Sequence, residues 1–364
     1  MTAMTKSLLA WVCLQLPMLA YAERPRTESV AAPVSEAERY ARRCQSRAPH
    51  RTVKPQGTML WGTRRDWDTE KPAGERSSVL VSASLEPLRR ADAQVTGLKL
   101  EGGHLVATST SFAPGTPEAR RVMGTVLQGT AGDGKPVEVA ICGAEPSPED
   151  PNMVWYRIEA WNALAQEWEN PCVALDRVPD PRALAVSGVW DFNGVHREAP
   201  GQLTFACENG AITKCIHWGY KPWASRDGQS LAGLHQACTR MARADYCGNG
   251  RNHTHEDTPI DMYDRLGVIA RTTESSAEWD LARASFEAAW APDGATCLAR
   301  TRDGRALETI LQECPDRFRT DAALDLGEGD RCTARRVDVN PRSALLRNQS
   351  YGAPKTPVSP GGGL

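Results

Sequence analysis

Beyond an N-terminal apolar run from Leu8 to Leu19, the chain has no hydrophobic stretch long enough to span a bilayer, which excludes a second membrane-crossing helix. It has no excess of either charge: 43 Lys and Arg against 45 Asp and Glu leave a net charge of −2, so no global basic field exists to attract nucleic acid or an anionic membrane. Lysine is scarce beside arginine, 8 against 35, a bias to which no function is attached. Several catalytic signatures are missing. No phosphate-cradling glycine loop occurs and no G-x-S-x-G elbow; nor do a zinc-protease helix pattern or an EF-hand loop. Phenylalanine is rare, five residues against eleven tryptophans. With 41% hydrophobic and 24% charged residues, the 364-residue chain is not a disordered one, and it suffices for about two domains.

What is present begins with an address. Lys6 precedes the apolar run, and Ala20 and Ala22 flank Tyr21 after it, the layout of a secretory signal peptide (residues 1–22) cut after Ala22. The mature chain is therefore expected to be secreted or periplasmic, with no membrane span. Cleavage removes Cys13 and leaves Cys44, Cys142, Cys172, Cys207, Cys215, Cys238, Cys247, Cys297, Cys314 and Cys332. An even number in an exported chain predicts up to five disulfides and weakens any single-thiol mechanism.

The chain then reads in parts. Residues 23–56 hold a linker and a short helix, with Ser35 and Glu38 at capping-box spacing and Ala37, Tyr40, Ala41 and Cys44 on one stripe. Residues 57–178 read as a β-rich domain: "LKLEGGHLVA" is a hairpin about Gly102 and Gly103, "PVEVAICG" and "MVWYRIEAW" alternate, and the phrase "GTMLWGT" recurs as "GTVLQGT", marking equivalent strand-and-turn elements. "LDRVPDPRAL" at 175–184 is the expected boundary. A cysteine-rich domain occupies 186–315, and 316–364 is an extension whose Pro- and Gly-rich end cannot bury a core. The fold class expected is mainly β with a few helices, α+β, in two disulfide-stabilised parts.

In the second domain, Asn209-Gly210 between "LTFAC" and "AITKCIH" predicts a two-residue hairpin. Leu203, Phe205, Cys207, Ile212 and Ile216 then share an apolar face, with Cys215 and His217 on the other. A helix is expected from about Ser230 to Tyr246, ended by Gly248, with Leu234, Cys238, Met241 and Asp245 on its buried stripe. Phe286, Ala288 and Trp290 alternate into a turn at Pro292-Asp293-Gly294, and Leu307, Ile310, Leu311 and Cys314 line a last helix. The hairpin faces favour pairing Cys207 with Cys238 and Cys215 with Cys247. Proximity in sequence favours Cys297 with Cys314 and Cys142 with Cys172, and elimination leaves Cys44 with Cys332.

The segments "FACENGAITKCIHWGYKPW", "HQACTRMARADYCGNG", "TPIDMYDRLG" and "FEAAWAPDGATC", in this order over roughly 186–315, resemble the ADYC domain family, named for the tetrapeptide at Ala244-Asp245-Tyr246-Cys247. The resemblance implies an exported bacterial protein and carries no activity, cofactor or catalytic residue with it. The Gly-Thr phrases of the preceding half look like what often stands before that domain.

Chemistry and scaffold compete for the same residues. Cys238 or Cys247 with His217 or His235 would make a thiol nucleophile and base, against which burial and cysteine parity argue. Asp245 reads as an ion pair or backbone anchor, with Arg240, Arg243 or the turn at 247–250. The sharper reading is an Asp245/His217 dyad of a secreted hydrolase, assisted by Tyr246. "RNHTHEDTPIDMYD" offers His253 and His255 as zinc ligands, and Glu256, Asp257, Asp261 and Asp264 as calcium ligands, against a solvated acidic loop. Trp218, Tyr220 and Trp223 in "HWGYKPW" are either core packing or a platform for a glycan or protein ligand. The reading favours a binding or surface-interaction module that meets an extracellular or periplasmic ligand, with the hydrolase as the alternative. It calls for no cofactor.

Overall fold

The structure is a computed structural model describing residues 34–45, 58–67, 74–88, 95–109, 117–254, 258–271, 279–280, 282–320 and 323–351. The signal segment, its cut at Ala22 and the Pro/Gly-rich end lie outside the described residues. Two β-sheets carry the fold. The first takes β1 (Ser82–Pro87), β2 (Val126–Thr130), β3 (Pro136–Pro146), β4 (Val154–Asn162), β5 (Glu167–Glu169), β6 (Ala183–Ser187) and β7 (Gln202–Cys207). Their order is β3-β2-β1-β7-β6-β4-β5, every pair is antiparallel, and β3 also pairs with β4, so six strands close a barrel that leaves β5 outside. Closure removes the sheet edges that would otherwise stand open.

Alternation along these strands sorts their residues. Val139, Ile141, Tyr156, Ile158, Leu203, Phe205 and Cys207 fill the barrel; Trp155, Leu184, Val186 and Ala206 face outward onto a second cluster with Trp61, Trp190, Ile212 and Ile216. The hairpin at 97–101 and 104–108 forms as expected, with both Gly102 and Gly103 at positive φ. The Gly-Thr phrases are not equivalent: the second lies in β2, whereas Thr63 makes only an isolated bridge with Cys172. The barrel also crosses the boundary expected at 175–184, because β6 and β7 beyond it complete the ring.

No hairpin follows β7. Gly210 has φ −82° and Asn209 has no positive φ, whereas a two-residue hairpin turn of the Asn-Gly type needs both positive. The chain enters helix α2 (Ala211–His217) instead, the first helix, α1 (Glu36–Ala41), being the N-terminal one that the Ser35 side chain caps. Its apolar residues Ala211, Ile212, Cys215 and Ile216 follow a helical period, so Ile212 and Ile216 pack outside the barrel, away from Leu203 and Phe205. Gly210 is required at this crossing because a Cβ there would lie 2.6 Å from the backbone carbon of Trp61.

Helix α3 (Ala232–Arg243) packs beside α2 and over the second sheet. That sheet runs β8-β13-β9-β10-β12-β11, from β8 (Ile260–Asp264), β9 (Ala284–Ala291), β10 (Gly294–Leu298), β11 (Phe318–Arg319), β12 (Ala334–Arg336) and β13 (Leu346–Tyr351). Leu234, Cys238, Met241, Ala288, Trp290 and Ile310 of α4 (Leu307–Glu313) share this core. The alternation expected of Phe286, Ala288 and Trp290 is broken: the register against β13 shifts between Phe286 and Ala288, and Phe286 joins Ala289, Cys297 and Cys332 in a separate cluster.

All ten cysteines among the described residues are in disulfides, but none of the expected pairings is present. The bonds are Cys44–Cys142, Cys172–Cys207, Cys215–Cys238, Cys247–Cys314 and Cys297–Cys332. One error explains two of them. In a helix Cys215 turns toward α3 and meets Cys238, while Cys207, inside the barrel, meets Cys172.

Candidate functional site

The four residues Ala244 to Cys247 end α3, and each has a mechanical task. Ala244 occupies the left-handed region, φ 51° and ψ 42°, where helices usually place glycine, at a steric cost of roughly 1–2 kcal/mol. Its methyl is fully buried in the α3 core. Asp245, beyond the helix rather than on its stripe, is likewise buried: Arg240 donates to its carboxylate at 2.5 Å, and the amides of Asn249 and Gly250 at 3.1 and 2.9 Å. The tightly turned loop 247–250 is thereby clamped to the helix. Tyr246 stacks on Trp290 at 5.4 Å; its hydroxyl donates to Glu287 and accepts from the Arg302 amide at 2.8 Å. Burial, and then the Glu287 charge, push its ionisation well above the ordinary tyrosine range. Cys247 staples the turn to Cys314 at the end of α4.

Behind Tyr246, Arg302 holds Glu287 through two donors at 3.0 and 2.8 Å, with neither side chain exposed. The Ser350 hydroxyl donates to the same carboxylate, and Arg302 also reaches the Ala242 carbonyl at 3.2 Å. A charge pair at this depth survives only because nearly every donor and acceptor is used.

The structure does not bring His217 and Asp245 together. His217 is exposed, stacks on Trp155 at 5.1 Å and lies 3.4 Å from the Glu149 carboxylate. Among the described residues the Asp245 carboxylate hydrogen-bonds to Arg240 and to the two amides. The thiol mechanism also fails, since Cys238 and Cys247 have no free sulfur. His235 is buried and donates from Nε2 to the Ile212 carbonyl at 3.1 Å; burial lowers its pKa to about 4, an effect the carbonyl partly opposes and His196 slightly reinforces.

The expected metal ligands separate as well. His255, Glu256 and Asp257 lie outside the described residues. His253 spends both ring nitrogens, on the Ala244 carbonyl at 3.0 Å and the Glu313 carboxylate at 2.9 Å. Asp261 takes Arg271 at 2.8 Å, and Asp264 takes the Tyr220 hydroxyl at 2.9 Å. Elsewhere Cys44, Cys142 and Glu159 gather ligand-type atoms, but the two sulfurs are bonded to each other and Glu159 accepts the Cys44 amide at 2.7 Å.

The aromatic cluster divides. Tyr220 is fully buried in the α3 core, and burial beside Asp264 raises its ionisation above the ordinary tyrosine range. Trp223 packs against the hairpin at Gly102 and Gly103. Trp218, half-buried, lines a cleft of about 340 Å³ with Arg177, Glu208, Asn209, Lys214 and Thr254. Glu208 is oriented by the Arg182 guanidinium at 3.3 Å, and the Asn209 amide donates to the Val173 carbonyl at 2.8 Å. An aromatic wall with cationic, anionic and amide groups around it suits a small polar ligand with one apolar face. Lys214 was within reach of sequence reasoning once 211–217 is read as a helix; Arg177 and Glu208 gave no signal.

No curated protein and no solved structure matches the chain. The ADYC domain family model matches residues 119–304, from before β2 through the barrel, α2, α3 and β10 to the loop before α4, a wider unit at its start than the motifs alone outline. With just over half of its residues in that match and the tetrapeptide at the end of α3 acting as its clamp, the chain belongs to the ADYC domain family.

Proposed function

We propose that this protein is an exported binding module that holds a small polar ligand, a glycan or a peptide segment, in the cleft lined by Trp218. The observation that carries the reading is a division of labour. The cysteines, Asp245, Tyr246 and His253 are spent on internal bonds, whereas the Trp218 cleft is open and chemically mixed. Five disulfides support folding in an oxidising, non-cytoplasmic compartment. No helix among the described residues is long and apolar enough to cross a membrane.

Arrays of glycans and peptides probed with the disulfide-intact protein test the proposal. Hits should weaken in Trp218→Ala and in Lys214→Ala. A turnover in a broad hydrolase screen that disappears in His217→Ala would favour the enzymatic alternative instead.

A further inference from the structure

A second cleft, of about 420 Å³, lies on the outer side of the barrel, and the residues that form it were singled out by nothing in the sequence. Trp67 and Trp161 contribute its aromatic surface, Ser78 is buried in its wall, and Arg76, Asp133 and Lys135 stand at its rim. Alternation along β4 puts Tyr156, Ile158 and Ala160 inward and so turns Trp161 out.

Both indoles are held by groups that are themselves anchored. The Arg64 guanidinium lies 5.2 Å from the Trp67 ring and pairs with Glu169 at 2.7 Å; the Arg39 guanidinium lies 5.4 Å from the Trp161 ring and pairs with Glu138 at 3.0 Å. Trp168 adds an edge contact to Trp161 at 5.7 Å. Such support fixes the rings before any ligand arrives, which lowers the entropy lost on binding. The wall beneath is rigid too. The Gly132 amide donates to the Ser78 carbonyl at 2.7 Å, and a Cβ on Gly132 would lie 2.7 Å from the Arg76 carbonyl oxygen.

Two polar side chains at this site make no hydrogen bond or ion pair among the described residues. The Ser78 hydroxyl is buried, with the residue 1% exposed, and has no hydrogen-bond partner among the described residues. Leaving a buried hydroxyl unpaired costs about 1–3 kcal/mol, a cost that an incoming donor or acceptor removes. Arg76 stacks on Phe192 at 3.8 Å and makes no ion pair among the described residues. The rim is balanced in sign, Arg76 and Lys135 against Asp66 and Asp133, with Lys135 and Asp133 paired at 2.6 Å. A balanced rim selects neither a strong anion nor a strong cation. Fixed indoles, a buried hydroxyl without a partner among the described residues and a guanidinium held by an aromatic ring rather than an ion pair, in a cleft of ligand size, call for a neutral ring compound with apolar faces and several hydroxyls. From this we infer that the Trp67–Trp161 cleft is a saccharide-binding site, separate from the Trp218 cleft.

The experiment is calorimetric titration of the full, disulfide-intact chain with cellotriose, chitotriose, maltotriose and hexaproline. At least one of the saccharides is expected to bind. Its affinity should fall about tenfold in Trp161→Ala, which removes a stacking ring, and severalfold in Ser78→Ala and Arg76→Ala. Because Trp161→Ala also removes packing against Trp168, the Ser78 and Arg76 variants, with unchanged circular dichroism and melting, decide the matter. Binding by none of the saccharides overturns the inference. So does saccharide binding that is lost in Trp218→Ala but indifferent to Ser78 and Arg76, which would move the sugar to the first cleft. Binding of hexaproline alone, lost in Trp161→Ala, would make the cleft a peptide groove and refute the ligand class.

Discussion

Acidification probes His235, which is packed on α3 with its ring 1% exposed and one nitrogen bonded to the Ile212 carbonyl. In the unfolded chain this imidazole titrates at its ordinary value of 6.5, but burial lowers the folded value to about 4. The unfolded state therefore binds the proton first as the pH falls. Stability from this group is complete above 6.5, drains away below it, and is gone once the pH has passed the folded value. The difference of the two values corresponds to about 3 kcal/mol, at roughly 1.4 kcal/mol per pH unit. Replacing His235 by Gln keeps an N–H for the carbonyl and removes the titration. Urea unfolding of wild type and His235→Gln, followed between about pH 7.5 and about pH 4, isolates the effect from carboxylates common to both proteins. Wild type should lose about 3 kcal/mol more than the variant over that range. Parallel pH profiles for the two would refute the neutral, buried imidazole.

Glu287→Gln, which leaves the Arg302 guanidinium buried without its counter-charge, should destabilise by about 3–5 kcal/mol in denaturant melts. A Glu287→Leu/Arg302→Met double variant should recover a large part of that loss. Gly210→Ala forces a methyl against the Trp61 backbone, so it should lower the yield of folded protein and the melting temperature more than Gly134→Ala. Gly134, at φ +85°, has open space around it, so its alanine carries only the cost of a left-handed backbone, whereas Gly210, at φ −82°, is limited by the clash itself. Peptide mapping without reduction should recover Cys215 joined to Cys238 and Cys172 joined to Cys207; a Cys207–Cys238 peptide would contradict the helical course of 211–217.

Much of the fold was legible where one face of an element is buried and the other wet. The alternation of "FAC", the glycine hairpin at 102–103, the stripe Leu234-Cys238-Met241 and the stripe Leu307-Ile310-Leu311 all correspond to real elements. Misreadings arose where two patterns compete or where long-range packing decides. "ENGAITKCIH" carries both a turn dipeptide and a helical spacing of apolar residues; contact with the Trp61–Gly62 backbone favours the helix, and the disulfide pairings follow from that choice. Barrel closure depends on β6 and β7 returning past two prolines, which local periodicity does not report. Within "SFEAAWA" a one-residue bulge beside Glu287 reverses the faces of the strand, so neither the buried carboxylate nor its partner Arg302 stood out. Of the candidate sites, the anchor reading of Asp245 names Arg240 and the following turn, the groups that its carboxylate contacts. The cleft residues Arg177, Glu208 and Ser78 come from separate segments with no shared motif.

The most direct measurement of Asp245 as a clamp rather than a catalyst is the thermal melt of Asp245→Asn with its disulfide map. The substitution leaves Arg240, whose Nη2 already lacks a partner among the described residues, without a carboxylate, and weakens the hold on the Asn249 and Gly250 amides. Loss of a buried ion pair predicts about 3–5 kcal/mol of destabilisation, a drop of roughly 4–7 °C in melting temperature, and less complete Cys247–Cys314 formation. A variant that melts with wild type and forms all five disulfides, yet has lost a chemical activity that wild type performs, would contradict the clamp.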